Sequence, residues 1–198
     1  MRYKHAIALS GGIATGKSSV VSIFLEFGFS IIDADKIAHR ILDRQVDKIA
    51  KIFGGQYCTE QGVDRKALGS LVFADKKAKE KLESLLHPLI EKEIERLSLE
   101  LDKLGKPYLV DIPLFFEFER YNISSSIVVY APIEIQLSRL MTRDECSKDE
   151  AYRRINSQMD IELKKSKATY VIDNSKDMIH LQNECMRIRD LILKKYKA

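Results

Sequence analysis

The chain has 198 residues, 45% of them apolar, which fits one domain with insertions and excludes global disorder. Lys plus Arg number 33 against 29 Asp plus Glu, a net charge of +4. That is too mild for a basic nucleic-acid module and suits a protein whose ligands are small polyanions. No apolar run reaches the ~18–20 residues of a membrane helix, and residues 6–9 are too short for a signal-peptide core. Cys58, Cys146 and Cys185 are dispersed, with no C-x-x-C spacing. Free thiols in a cytoplasmic protein are expected, not a disulfide framework or a zinc site.

Short, nearly continuous apolar runs recur at residues 5–9, 30–32, 108–110, 126–130 and 169–172. Such runs are the pattern of parallel strands buried on both faces. Helical spacing of apolar residues marks 20–25, 133–141 and 181–196. The alternation predicts an α/β fold with a five-stranded, mostly parallel sheet. Residues 36–107 are far longer than one crossover and read as a helical subdomain, with His87-Pro88 breaking or starting a helix inside it. Ser147-Lys-Asp-Glu150 reads as a capping box opening a helix through Gln158. The following Lys164-Lys165-Ser166-Lys167 cluster reads as a solvated patch, and Asp173-Asn-Ser175 as the start of the last helix.

The strongest chemical signal is Gly11-Gly-Ile-Ala-Thr-Gly16-Lys17-Ser18, which matches G-x-x-x-x-G-K-[ST] at every fixed position. It follows an apolar strand and opens an amphipathic helix, the context that motif requires. Backbone N–H groups of such a loop, with the helix dipole behind them, cradle phosphates. Lys17 would reach the β- and γ-phosphates and the Ser18 hydroxyl would bind Mg²⁺. Asp33 and Asp35 end the second strand. If the strand persists through Asp35, both carboxylates share a face and can orient an attacking hydroxyl. Alternatively Asp35 caps the next helix. Asp111 ends the third strand, as a magnesium ligand or as the cap of a helix opened by Pro113. Arg139 and Arg143, four apart, share a helix face, either as phosphate clamps or as a solvated face with an Arg–Asp pair. The four histidines have no metal-ligand spacing; His87, beside Pro88, is the one with a particular place.

Taken in order, these segments resemble the dephospho-coenzyme A kinase family. The resemblance rests on residues 10–18, Asp33-Ala-Asp35, Val63-Asp-Arg65 with Leu68 and Val72-Phe73, Leu86-His-Pro-Leu-Ile90, Pro113-Leu-Phe-Phe-Glu117, residues 136–144 and Val171-Ile-Asp-Asn174. It implies a P-loop three-layer fold with core 1–35, 108–143 and 168–198, a helical substrate subdomain 36–107 and a lid 144–167. It implies phosphorylation of the ribose 3′-hydroxyl of dephospho-coenzyme A by ATP with Mg²⁺, the last step of coenzyme A biosynthesis. Asp35, Lys17 and Arg139 are the implied catalytic residues. Gly12, Ile13, Ala14, Thr15, Gly16, Lys17, Ser18, Ser19, Arg143 and Asn174 are implied for ATP, with Asn174 near the adenine. Asp33, Asp35, Arg65 and His87 are implied for the acceptor, and Ser18, Asp33 and Asp111 for the metal. A cytoplasmic protein, monomeric or weakly oligomeric, is expected, with no nucleic-acid or membrane partner. Ala14 and Thr15 replace the usual Gly and Ser of the loop, and Phe115 a usual Leu. The alanine is expected to keep the loop to ordinary backbone angles. Another small-molecule P-loop kinase and a nucleotide-dependent switch are the alternatives, the second lacking an N-K-x-D guanine signature.

Overall fold

A computed structural model describes residues 3–118 and 120–196. The chain divides into two compact units, residues 1–32 with 98–198, and residues 33–97.

The first unit is built on β1 (Ala6–Gly11), followed by helix α1 (Lys17–Glu26). The next strand, β2 (Ile31–Asp33), leads into the second unit. There lie α2 (Ala34–Asp43), α3 (Val46–Phe53), a small antiparallel hairpin of β3 (Cys58–Thr59) and β4 (Gly62–Val63), and α4 (Arg65–Ala74). The long helix α5 (Lys76–Asp102) carries the chain back. Then follow β5 (Tyr108–Asp111), β6 (Ser125–Tyr130), α6 (Ile133–Asp144), α7 (Lys148–Ile155), α8 (Ile161–Lys167), β7 (Tyr170–Asp173) and α9 (Met178–Tyr196).

The sheet order is β2-β5-β1-β6-β7, and the five strands coincide with the five runs seen in the sequence. Its parallel registers pair Leu9 with Asp111 and with Ile127, and Val129 with Ile172. Every residue of β1 and β5 is buried, which explains the unbroken apolar runs: both faces are covered. Ile7, Leu9, Leu109, Ile127 and Val129 pack against Val20 and Phe24 of α1 and Leu181, Cys185, Ile188 and Ile192 of α9. The three cysteines are free thiols. No helix among the described residues is long and apolar enough to cross a membrane.

Three local expectations are corrected. Pro88 lies inside α5, which runs on unbroken for 27 residues. Proline removes one helical hydrogen bond at a cost of about 3 kcal/mol. The buried stripe Leu86, Ile90 and Ile94 continues across it and holds the helix together. Helix α7 stops at Ile155, short of Gln158, although Ser147 does cap it by accepting the Glu150 N–H. Helix α9 starts at Met178, where Asp177 accepts the His180 N–H at 2.8 Å; Asp173 bonds the Ser175 N–H and hydroxyl in a local turn before it.

Candidate active site

The turn from β1 into α1 forms a closed loop tied by its own atoms. The Thr15 N–H and hydroxyl both donate to the Gly12 carbonyl, at 3.3 and 2.9 Å. Gln158 Oε1 accepts the Ile13 N–H at 3.1 Å, and the Asn174 amide donates to the Thr15 carbonyl at 2.8 Å. Gly16 has φ +88°, and a Cβ there would run into the Asn174 amide, so both backbone angle and space demand glycine. A Cβ on Gly12 would stand 2.8 Å from Gln136 Oε1. Ala14 adopts φ +59°, contrary to the ordinary angles expected of an alanine. The left-handed region costs an L-residue about 1–2 kcal/mol. Ile13 and Ala14 pack on the cluster of Leu137, Leu140 and Ala151, which offsets part of that cost. Ser18, exposed, and Ser19, half-buried, open α1, whose free N–H groups and dipole favour an anion. A pocket of about 220 Å³ opens beside Gly12, with Gln136, Gln158 and Asp160 on its walls.

Lys17 reaches across to Asp111, and its ammonium donates to both carboxylate oxygens, at 2.5 and 2.7 Å. Asp111 is 7% exposed and ends β5; no helix opens at Pro113, where the chain turns instead. Parallel pairing of β1 and β5 puts Asp111 level with Leu9 and so brings it beneath the loop. Arg139, on α6, donates through one guanidinium nitrogen to the Asn174 carbonyl at 3.0 Å. Its other terminal nitrogen, Nη1, is buried without a partner among the described residues and lies beside Gly16. Asn174 is itself held by its N–H on the Tyr130 carbonyl at 2.8 Å. Arg143, one turn on, faces elsewhere. It forks onto Asp144 at 2.6 and 3.0 Å, and Asp144 also accepts from Arg154. The Arg143 guanidinium, with Arg154 behind it, holds the Asp144 carboxyl below the usual carboxylate range.

In the second unit, β2 ends at Asp33, and Asp33 caps α2 by accepting the Lys36 N–H at 2.9 Å. Asp35 therefore lies in the first helical turn, exposed, its side chain free of hydrogen bonds and ion pairs among the described residues. This corrects the expectation of a strand persisting through Asp35: the capping carboxylate at Asp33 starts the helix first. Arg65 forks onto Asp43 at 3.2 and 2.5 Å, both half-exposed, and His87 is half-buried on α5. Three of this unit's four arginines, Arg40, Arg44 and Arg96, line a cleft of about 320 Å³ with Lys92, over Ile37 and Ile41. Arg96 pairs with Glu93 and, with help from Arg40 and Arg44, holds that carboxyl below its usual range.

Sequence reasoning missed three groups around the loop. Gln158 carries no motif signal. Glu117 stood only as part of a family segment. Lys164, read as part of a solvated patch, is fully buried, its ammonium 2.8 Å from Glu117 and 3.1 Å from the Gly11 carbonyl. The available signal was its place three residues after Ile161, on the inward face of the short helix α8.

The sequence model of the dephospho-CoA kinase family matches residues 5–180. The chain is 52% identical to a dephospho-CoA kinase of Sulfurimonas denitrificans over 99% of its own length and 98% of that protein's. A solved dephospho-CoA kinase from Campylobacter jejuni superposes with a TM-score of 0.71 at 39% identity, covering 95% of this chain and 97% of that one. A solved Thermus thermophilus protein reaches a TM-score of 0.80 at 28% identity, covering 98% of each chain. The closed glycine loop, the lysine on Asp111 and the arginine beside Gly16 stand on a chain matched almost end to end, and that chain belongs to the dephospho-CoA kinase family.

Proposed function

We propose that the protein transfers the γ-phosphoryl group of ATP to the ribose 3′-hydroxyl of dephospho-coenzyme A, giving coenzyme A and ADP. The observation that carries this reading is the convergence of Lys17, Arg139 and Asn174 on one closed glycine loop, in a chain of this family. In the reaction the oxygen–phosphorus bond to ADP breaks as the bond to the 3′-oxygen forms. Little covalent work falls to the protein, so positioning and charge neutralisation carry the rate.

Those N–H groups of residues 12–19 that the loop does not itself use bind the phosphates, and Lys17 turns from Asp111 to the β- and γ-phosphates. Arg139 Nη1, beside the loop, takes charge on the transferring group. Asn174 sits under the adenine, and Arg143, once released from Asp144, reaches the nucleotide from outside. Asp35 accepts the hydroxyl proton and passes it to solvent. Asp33, Arg65 and His87 contact the acceptor. The cation-lined, apolar-floored cleft of residues 33–97 suits the diphosphate and aliphatic arm of such an acceptor.

The Ser18 hydroxyl and the Asp33 and Asp111 carboxylates are hard oxygen donors of the kind Mg²⁺ takes alongside substrate phosphates. When bound, Mg²⁺ would supply charge neutralisation to the transferring phosphates. Within the lid segment 144–167 the stretch before Gln158 closes, excluding water and limiting wasteful hydrolysis, while Gln158 and Lys164 stay anchored on the glycine loop. The enzyme acts in the cytoplasm as a monomer or weak oligomer, without nucleic-acid or membrane partners.

The test is ADP release from ATP with dephospho-coenzyme A, AMP, adenosine or no acceptor. Stoichiometric ADP is expected with dephospho-coenzyme A alone. Equal release with AMP, or release independent of any acceptor, overturns the assignment.

A further inference from the structure

Lys164 is a fully buried cation with no part in the chemistry above. Its ammonium has three hydrogens and three acceptors: Glu117 Oε1 at 2.8 Å, the Gly11 carbonyl at 3.1 Å and the Pro113 carbonyl at 3.3 Å. The place matters. Strands β1 and β5 run side by side, and their last ladder bond is the Ile112 N–H on the Leu9 carbonyl at 3.0 Å. Two residues on, the Gly11 carbonyl points the same way, at the point where β1 becomes the glycine loop. The donor that meets it is Lys164. Ser10 Oγ adds a second bridge to the Pro113 carbonyl at 2.8 Å. Glu117 also accepts the Met159 N–H at 3.0 Å, one residue beyond Gln158, whose side chain holds Ile13.

We propose that Lys164 is a positioning residue for phosphoryl transfer: it bridges the ends of β1 and β5, fixing the glycine loop relative to the Asp111 strand. A buried ion pair is weak ground for stability, since well-packed apolar replacements are often as stable. What an apolar residue cannot do is hold two backbone carbonyls at once. The loop carries Lys17 and its strand neighbour carries Asp111, so a small slip between them misplaces the γ-phosphate. Misplacement of about 1 Å costs on the order of 100-fold in rate.

The proposal rests on the reading of the loop as the ATP site, and its test uses two variants of the full chain. Lys164→Met removes the donor. Lys164→Met/Glu117→Gln also removes the carboxylate that the first change strands. Both are measured by thermal melting, by kcat and KM for ATP with dephospho-coenzyme A, and by amide hydrogen exchange of residues 12–18 with and without ATP and Mg²⁺. Lys165→Met, a surface change beside Tyr130, serves as control and leaves kcat unaltered.

The expected result is a kcat about 100-fold down in the folded double variant, with KM for ATP moving less than about fivefold. ATP-induced exchange protection of residues 12–18 falls at least about tenfold in both variants. If the single variant does not fold, the double variant decides. If neither folds, Lys164 is a folding residue and the proposal is overturned. A folded double variant with kcat within about fivefold of wild type, or with unaltered exchange protection, also overturns it. Should the wild type fail to turn over dephospho-coenzyme A, the assigned reaction falls, and the exchange measurement still judges Lys164.

Discussion

In the unit built on the sheet, Lys17, Asn174 and Lys164 all direct their side-chain hydrogen bonds into the protein, onto Asp111, Thr15 and Gly11. In the unit of residues 33–97, the side chains of Asp35, Arg40 and Arg44 make no hydrogen bond or ion pair among the described residues. In the first arrangement the polar network is already made inside the protein, and in the proposed reaction Lys17 would have to turn from Asp111 to meet a phosphate. The second leaves these three side chains in water, and in the proposed reaction an acceptor would have to order them, which subtracts from its affinity. Substitutions in the two units should therefore fail differently. On the sheet side, rate and stability fall together; on the acceptor side, rate falls alone.

The largest effect expected is that of Lys17→Ala. It removes the cation proposed for the β- and γ-phosphates and one partner of the Asp111 carboxylate, which is 7% exposed. kcat/KM for ATP should drop about 10³-fold. Melting should fall several degrees, since removing one member of a buried ion pair costs about 3 kcal/mol. Near-normal turnover would sink the loop assignment, and lost turnover at an unchanged melting temperature would break the proposed coupling of rate and stability.

Next comes Asp35→Asn. The side chain is exposed and makes no hydrogen bond or ion pair among the described residues, so melting should not move. kcat should fall about 10²-fold, as for removal of a general base, with ATP affinity nearly intact. An equally active Asp35→Asn enzyme removes Asp35 from the base role.

The two arginines of α6 sharpen the contrast on one helix. Arg139 ends beside Gly16 with a buried nitrogen that has no partner among the described residues, whereas Arg143 is 62% exposed and engaged with Asp144. Arg139→Ala should lower kcat by about 10²-fold. Arg143→Ala should change kcat/KM for ATP by less than about tenfold, because an exposed pair contributes at most about 1 kcal/mol. Steady-state kinetics of both variants decide it, and the reverse order of effects would exchange their roles.

The sequence was informative where one physical rule acted alone. Strands buried on both faces leave continuous apolar runs, so all five sheet strands could be read, as could the glycine loop, whose residue types the phosphate dictates. It was silent where two rules competed. At Asp33 and Asp35, strand alternation and helix capping both applied, and capping acted two residues earlier than the alternation required. At Pro88 the lost hydrogen bond was outweighed by a stripe, Leu86, Ile90 and Ile94, whose burial no local pattern beside the proline announces. Lys164 looked like one more lysine in a basic run, because nothing local marks a carbonyl 153 residues earlier as needing a donor.

Ala14 tests how far the loop works through its backbone. Its φ of +59° should cost about 1–2 kcal/mol, which glycine would relieve. Against that, glycine loosens the unfolded chain by about 0.5–1 kcal/mol. It also gives up a half-buried methyl worth roughly 0.5 kcal/mol against the Leu137 cluster. The terms nearly cancel, so Ala14→Gly should melt within about 2 °C of the parent. ATP affinity should hold as well, since N–H groups and not the methyl face the phosphates. A tenfold loss of affinity at unchanged stability would mean that the methyl, by seating the loop on α6, sets the angle at which those N–H groups point.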